Sequence, residues 1–264
     1  MSDDNHNLPP NAETPPDDDH DHAQVVSIER AESLLKTGQI DYLHGATLWG
    51  SNYSALVTVQ DDELKATAVY KPQRGERPLW DFPDGTLCYR ETLAYTVSKV
   101  LDCYLVPPTV LRQGPHGLGS VQLFIEHNPE INYFNLGDSF MPQLQRFAVF
   151  DYLVNNTDRK GGHLLLDGHS KLWGIDHGLT FHALPKLRTV IWEFAGDTVA
   201  DDLLEAVNQV GEQLENPETE LRKQVNEWLR PAEITAMQQR IRHLLETKCY
   251  PIPGPGPNHP WPPV

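Results

Sequence analysis

The chain has 264 residues and a formal net charge of −16, from 37 acidic and 21 basic residues. This length is enough for one sizeable hydrophobic core. Seven of the acidic residues fall within the first 22 positions, and the remainder of the chain is acidic as well. The charge excludes nucleic acid as a general partner and disfavours electrostatic docking on an anionic bilayer, but it allows a small anionic ligand in a local cationic pocket.

Targeting signals and cysteine usage indicate the compartment. No stretch reaches the roughly 20 apolar residues of a membrane span. The first 22 residues contain neither the basic nor the apolar region of a signal peptide. The three cysteines, Cys88, Cys103 and Cys249, match no metal-ligand spacing and cannot all pair with one another. We therefore expect a cytoplasmic protein with reduced thiols and no integral membrane segment.

The first half of the chain predicts an acidic tail and a small lobe. Residues 1–24 are rich in Asp, Pro and Asn and should be disordered. The segment "SIERAESLLKTGQI" predicts a helix with Ser27 as N-cap and Gly38 at its end. Strands are predicted in "SALVTVQ", "KATAVYK" and on both sides of the turn in "VPPTVLRQGPHGLGSVQLFIE". The amphipathic pattern of "LCYRETLAYTVSKVLD" predicts a helix, so we expect residues 25–126 to form an antiparallel sheet that carries one helix.

The second half predicts a mostly helical lobe over residues 127–248. A helix is predicted in "SFMPQLQRFAVFDYLVNN", followed by a hairpin of the short strands "HLLLD" and "KLWGIDHG" and by further helices. Residues 249–264 are rich in proline, and we expect an extended or polyproline-like tail. The predicted fold class is therefore α+β, with two lobes that enclose a cleft.

Two polar stretches frame the predicted hairpin, "VNNTDRKGGHLLL" and "WGIDHGLTFH". Asp158 lies in the first, where Arg159 and Lys160 should keep it ionised. Asp176 follows the second short strand. Two carboxylates at the ends of paired strands are consistent with ligands of one Mg²⁺ ion, although a pair of ordinary turn aspartates would have the same spacing.

A lysine in the first sheet could complete a phosphate site. Lys71 ends the strand "ATAVYK", and Glu91 lies on the following helix. An ion pair between them would hold the lysine toward the phosphates of a nucleotide. The alternative is a solvated lysine at a sheet edge, with Arg90 and Glu91 on the solvent-exposed face of the helix.

The two polar stretches resemble a known family. "FDYLVNNTDRKGGHLLL" followed by "LWGIDHGLTF" resembles the catalytic and metal-binding loops of the phosphatidylinositol 3-/4-kinase-like kinases, a branch of the protein-kinase-like fold. In that family the loops typically read Asp-Arg-His-x-x-Asn and Ile-Asp-[Phe/His/Tyr]-Gly. The chain is more similar still to a small bacterial branch, through "NNxDRKGGH", "IDHGxxFH" and "KLRTVIWEFAG". The resemblance covers about residues 40–200.

The resemblance implies a two-lobed protein-kinase-like fold, with ATP and Mg²⁺ or Mn²⁺ as cofactors. It also implies roles for the matching positions. The implied catalytic residues are Asp158 and Lys160, the implied metal ligands His163 and Asp176, and the implied nucleotide-binding residues Lys71, Glu91, Gln122, Phe124 and Glu126. The segment "HGATLWGSN" stands where the phosphate-covering loop belongs.

The chain departs from the family pattern at several of these positions. His163 stands where the larger family has its metal-binding Asn, and Lys160 replaces a His. The phosphate-covering segment offers only Gly45 and Gly50, so it matches neither G-x-G-x-x-G nor the Walker A motif. The segment "LPKLRTVIWEFAG" lacks the basic run that lipid kinases use on phosphoinositide head groups, so a lipid substrate is not implied. Residues 192–196, "WEFAG", either belong to the core or line the acceptor site.

We predict an ATP-dependent, metal-assisted phosphotransferase that acts on the hydroxyl of a protein or of a small molecule. One alternative is a nucleotide-binding pseudokinase or regulatory module, which His163 and the glycine-poor loop favour. Another is a metal-dependent hydrolase, because several histidines and two aspartates fall within about 25 residues, although no H-E-x-x-H spacing occurs. The residues of that cluster are His163, His169, His177, His182, Asp158 and Asp176.

Overall fold

The computed structural model of the protein describes residues 26–42 and 53–264. These residues form seven strands and six α-helices. In chain order they are α1 (Ile28–Thr37), β1 (Gln39–Tyr42), β2 (Ala55–Gln60), β3 (Lys65–Pro72), α2 (Leu87–Val100), β4 (Thr109–Gly114), β5 (Gly117–Leu123), α3 (Met141–Val154), β6 (Leu164–Leu166), β7 (Leu172–Gly174), α4 (Asp201–Glu215), α5 (Glu220–Trp228) and α6 (Pro231–Thr247).

The first five strands form one antiparallel sheet in the order β1-β2-β3-β5-β4. Helix α1 begins at the predicted cap, where the Ser27 hydroxyl accepts a hydrogen bond from the Arg30 N–H at 3.2 Å. It buries Leu34 and Leu35 in a small core with the sheet residues around Tyr70. The sheet positions the site because Lys71, near the end of β3, lies opposite Ser120 of β5.

Helix α2 is buried on nearly all sides, whereas the sequence pattern predicted an amphipathic helix. It packs against strands β4 and β5 and also against helices α3, α4 and α5. Arg90 and Glu91, which an amphipathic pattern would leave in water, are buried. Helix α2 therefore joins the sheet to the large core built by the helical remainder of the chain.

The predicted hairpin is present as strands β6 and β7, which pair antiparallel with Leu165 opposite Trp173. The Pro-rich end of the chain packs against the rest of the protein. Cys249 forms an isolated antiparallel β-bridge with Thr198, and Tyr250 is buried. Bends at residues 255–256, 259 and 261–262 interrupt the predicted polyproline-like conformation.

The predicted α+β class, an antiparallel N-terminal sheet followed by a mostly helical remainder, is confirmed. The predicted acidic tail and the segment with Gly45 and Gly50 lie outside the described residues. Within residues 26–42 and 53–264, no helix combines the length and the hydropathy needed to cross a membrane. The cysteines Cys88, Cys103 and Cys249 are all free.

Candidate functional site

Three of the predicted site residues meet at the side chain of Lys71. Its Nζ donates to Oε1 of Glu91 at 2.7 Å and to Oδ1 of Asp176 at 2.5 Å. The three residues come from β3, from α2 and from the segment after β7. The fold therefore brings together a lysine and an aspartate that lie 105 positions apart in the sequence.

Glu91 also holds the segment that carries Asp176. Its second carboxylate oxygen, Oε2, accepts a hydrogen bond from the backbone N–H of His177 at 2.9 Å. Close packing supports this contact, because a Cβ atom at Gly178 would lie 3.3 Å from Cβ of Leu87 in the first turn of α2. Glu91 thus fixes both the lysine and the aspartate at once.

Lys71 and Asp176 keep each other charged. Burial opposes the charge of Lys71, but the carboxylates of Asp176 and Glu91 outweigh it and raise the lysine pKa. The Lys71 ammonium in turn holds the pKa of Asp176 well below its usual range. Asp176 also has a φ of 62°, in the left-handed region that Asp adopts more readily than most non-glycine residues.

His163 approaches the same aspartate. Its Nε2 lies 3.5 Å from Oδ2 of Asp176. Burial lowers the pKa of His163 to about 4, so the imidazole is neutral at physiological pH. A neutral imidazole and a carboxylate that face each other can both be metal ligands, and the nitrogen ligand suits Mn²⁺ better than Mg²⁺.

The histidines proposed for a hydrolase site do not converge. Among the described residues, no group of three or more His, Cys, Asp or Glu side chains is placed to hold a metal ion. His169 is exposed in the turn between β6 and β7. The ring of His182 packs at 5.4 Å from that of Phe82. This geometry disfavours a hydrolytic metal centre and leaves His163 and Asp176 as a two-residue set.

Asp158 lies in a partly buried turn beside Lys160. Its backbone N–H donates to the side-chain oxygen of Asn156 at 3.0 Å, and Nζ of Lys160 lies 3.7 Å from its carboxylate. The sequence predicted that neighbouring cations would keep Asp158 ionised. Burial raises the pKa of Asp158 to about 6, and Lys160 opposes that rise in part, so the carboxyl group is mostly ionised at neutral pH.

Arg159, the other cation that the sequence places beside Asp158, points into the core. The guanidinium of Arg159 is fully buried and pairs with Asp151 of α3 at 2.8 Å. It also lies 3.3 Å from the carbonyl oxygens of His163 and Ile175, so it connects the two polar stretches. Sequence reasoning missed Asp151, although a single acid within the apolar run "FAVFDYLV" indicates a buried charge partner.

The residues predicted to contact adenine lie along β5 and just after it. Gln122 is buried within the sheet, and its side-chain amide donates to Oγ1 of Thr109 at 2.9 Å. The N–H of Phe124 already donates to the carbonyl oxygen of Thr67. Glu126 is exposed. Adenine binding by these three residues stays a prediction.

A second arginine lies next to the Asp158 loop. The backbone N–H of Arg188 donates to the carbonyl of Asn156, and the carbonyl of Arg188 accepts from the N–H of Arg159, both at 2.9 Å. The charge of Arg188 reaches Asp158 and favours its ionised form. The sequence contained "KLRTV" as part of a resemblance, but no local pattern indicated where its arginine would lie.

Comparison with known proteins gives two relatives and a family match. The family model described as phosphatidylinositol 3- and 4-kinase matches residues 109–198. Protein Rv2133c of Mycobacterium tuberculosis (strain ATCC 25618 / H37Rv) is 39% identical over 229 residues, which are 74% of this chain and 81% of that protein. Phosphatidylinositol 4-kinase gamma 4 of Oryza sativa subsp. japonica is 36% identical over 85 residues, which are 28% of this chain and 15% of the rice protein.

Among solved structures, one example is similar over most of the chain. It is the crystal structure of the Helicobacter pylori proinflammatory kinase CtkA, with a TM-score of 0.49 and 11% sequence identity. The match covers 82% of this chain and 94% of that one.

Proposed function

Because the chain belongs to the phosphatidylinositol 3-/4-kinase-like family, we propose that it is an ATP-dependent phosphotransferase, and that the acceptor is a hydroxyl of a protein or of a small molecule. The observation that carries this proposal is the convergence of Lys71, Glu91 and Asp176, with Nζ of the lysine 2.7 and 2.5 Å from the two carboxylates. Phosphoryl transfer needs a cation for the phosphates and a metal-binding carboxylate next to it.

Lys71 binds the phosphates in this proposal. Glu91 keeps its hydrogen bond to the Lys71 ammonium throughout. When a nucleotide enters, the ammonium exchanges its contact with Asp176 for contacts with phosphate oxygens. The buried Glu91 stays in place because it also accepts the N–H of His177. The lysine is therefore positioned before the nucleotide arrives, which reduces the ordering that binding requires.

Asp176 and His163 would hold one Mg²⁺ or Mn²⁺ ion. Two protein ligands are enough for such an ion, because the phosphate oxygens of the nucleotide and water complete its coordination. When bound, the ion neutralises charge on the phosphate oxygens. The neutral state of His163 at physiological pH supports its role as a ligand.

Asp158 receives the proton of the acceptor hydroxyl. A general base works best with a pKa near the working pH, and burial raises the pKa of Asp158 to about 6. Lys160, 3.7 Å from that carboxylate, adds a positive charge on the acceptor side of the loop. The two residues have the catalytic roles that the family resemblance implies for their positions.

The experiment that tests this function measures transfer or hydrolysis of the γ-phosphoryl group of labelled ATP with Mg²⁺ or Mn²⁺. We expect Asp158→Asn to lower the rate by about 10²–10⁴-fold, the usual contribution of a general base, with nucleotide affinity retained. Asp138→Asn, at an exposed aspartate, is the matched control and should keep the wild-type rate. Equal rates for wild type and Asp158→Asn would remove Asp158 from the reaction.

A pseudokinase remains the second candidate function, and the observation that favours it is the histidine at position 163, in the place of a metal-binding Asn. Tight ATP binding with no turnover under either metal ion would select this candidate over the phosphotransferase.

A further inference from the structure

The Pro-rich end of the chain folds back onto the loop that carries Asp158. The backbone N–H of Gly161, three residues after Asp158, donates to the carbonyl oxygen of Pro263 at 2.8 Å. A Cβ atom at position 161 would lie 2.8 Å from Cε2 of Phe134 and 3.5 Å from the Pro263 oxygen. Glycine at this position therefore lets the aromatic ring and the tail lie close to the loop.

A second anchor lies at Asn258. Its carbonyl oxygen accepts the backbone N–H of Thr189 at 3.1 Å and the indole N–H of Trp192 at 2.9 Å. Thr189 forms an isolated parallel β-bridge with Arg159, so this anchor belongs to the same surface as the Asp158 loop. Between the two anchors, Pro260 is buried. We call the surface formed by the N–H groups of residues 161 and 189 and the indole of residue 192 the peptide seat.

The chemistry of the peptide seat fits a main chain. All three of its N–H groups donate to carbonyl oxygens of peptide bonds. Two of the donors share the carbonyl oxygen of Asn258 and the third pairs with that of Pro263, so the surface holds a peptide at two points through groups that every peptide has. The seat therefore selects a segment of polypeptide near the predicted catalytic loop.

The segment that fills the seat has no group to which a phosphoryl group could be transferred as an ester. Residues 251–264 contain no Ser, Thr or Tyr. They also contain no acidic or basic side chain apart from His259. A peptide bound in this place without a hydroxyl occupies the acceptor side of the site without being consumed.

We propose that the peptide seat is the acceptor-binding surface, that the acceptor is a peptide with a hydroxyl side chain, and that residues 258–263 occupy the seat in cis as an acceptor mimic. This inference rests on the phosphotransferase function proposed above. In the reaction, the acceptor oxygen forms a bond to the γ-phosphorus of ATP, and the bond from that phosphorus to the bridging oxygen breaks. ADP leaves with the electron pair, and the hydroxyl proton passes to Asp158.

The first experiment opens the seat in the folded full-length chain. A recognition sequence for a site-specific protease is inserted between Gly256 and Pro257, where a Cβ atom on Gly256 would meet nothing within 4 Å. After cleavage and removal of the released segment, a dye-labelled synthetic peptide of residues 257–264 is titrated by fluorescence anisotropy. We expect it to bind the cleaved protein at least about tenfold more tightly than the intact one, in which the tail competes at a high effective concentration.

A second variant needs no cleavage. Pro260→Asp places a charge at the buried proline between the two anchors and should loosen the tail by about tenfold, while the three donors of the peptide seat stay intact. We expect phosphoryl transfer to a mixture of peptides with a central Ser, Thr or Tyr to rise by a similar factor. Pro257→Asp, at an exposed proline just before this segment, is the control and should leave the transfer unchanged.

The proposed peptide seat would be contradicted if the labelled peptide bound intact and cleaved protein with equal affinity. It would also be contradicted if the peptide did not bind cleaved protein whose circular dichroism shows that its helices are intact. Hydrolysis of ATP without transfer to any peptide would overturn the acceptor class but keep the phosphotransferase function. Absence of any ATP turnover would reject that function and the acceptor class with it. The anisotropy titration would still show whether the peptide seat binds the segment of residues 257–264.

Discussion

At the residue scale, the site depends on charges that only the folded chain brings together. Lys71 is held between Glu91 and Asp176, at 2.7 and 2.5 Å. The sequence suggested the pair of Lys71 and Glu91, but only the family resemblance favoured it over a solvated lysine, because a lysine at the end of a strand has no local pattern that distinguishes the two. The sequence cannot show that Arg159 is buried against Asp151, so that Lys160 and not Arg159 is the cation beside Asp158.

Lys71→Ala tests the phosphate contact. Removal of the ammonium should weaken ATP binding in the presence of Mg²⁺ by about tenfold or more, since a charge-assisted hydrogen bond contributes about 1.5–3 kcal/mol. Isothermal titration calorimetry on folded protein measures this. The control is Lys65→Ala, at an exposed lysine of the same strand, which should bind as the wild type does. Unchanged affinity of Lys71→Ala would exclude the lysine from the nucleotide site.

Asp158→Asn tests the cost of the buried carboxylate. Because folding raises the pKa of Asp158 to about 6, its contribution to stability is present below about pH 4 and is lost as the pH rises through about 6. The neutral Asn keeps that contribution, so the variant should be about 1–3 kcal/mol more stable than the wild type near pH 8. Urea unfolding at both pH values measures the difference, which should vanish near pH 4. A variant less stable than the wild type near pH 8 would contradict the burial argument.

At the element scale, helix α2 is the link between the sheet and the helices. Arg90 donates to Glu233 of α6 at 2.7 Å and to the carbonyl oxygen of Thr180 at 2.6 Å, and both charged side chains are buried. These contacts orient α2 so that Glu91 faces Lys71. The helix itself could be predicted from its periodicity, but its partners on all sides could not, because a one-dimensional pattern records a single buried face.

Breaking the buried pair should be costly. Arg90→Met leaves the Glu233 carboxylate buried without its partner and should destabilise the protein by about 3–5 kcal/mol. Adding Glu233→Gln removes that charge and keeps an acceptor for the Arg230 N–H, so the double variant should recover much of the loss. Urea unfolding curves measure both variants.

The control for the buried pair of Arg90 and Glu233 is an ion pair on the surface. Lys223→Met breaks the exposed pair with Glu218 at 3.3 Å and should change the stability by less than about 1 kcal/mol. If Arg90→Met costs no more than Lys223→Met, the buried pair does not anchor α2.

At the scale of the whole molecule, the order of elements and the fold class could be predicted, because hydrophobic periodicity and turn residues are local. The contact of the tail with Gly161 could not be predicted, since composition indicates only that residues 249–264 are rich in proline. The same limit applies to the approach of His163 to Asp176, which depends on how the β6–β7 hairpin is held by Arg159.

The most direct test of the central claim, that these elements form one nucleotide and metal site, is the thermal unfolding temperature with and without ATP plus Mg²⁺ or Mn²⁺. We expect ATP with metal to raise this temperature for the wild type, because a ligand that binds only the folded state stabilises it. Asp176→Ala should lose most of that increase while the Asp138→Asn control keeps it. An equal increase for wild type and Asp176→Ala, or none for either, would contradict the site.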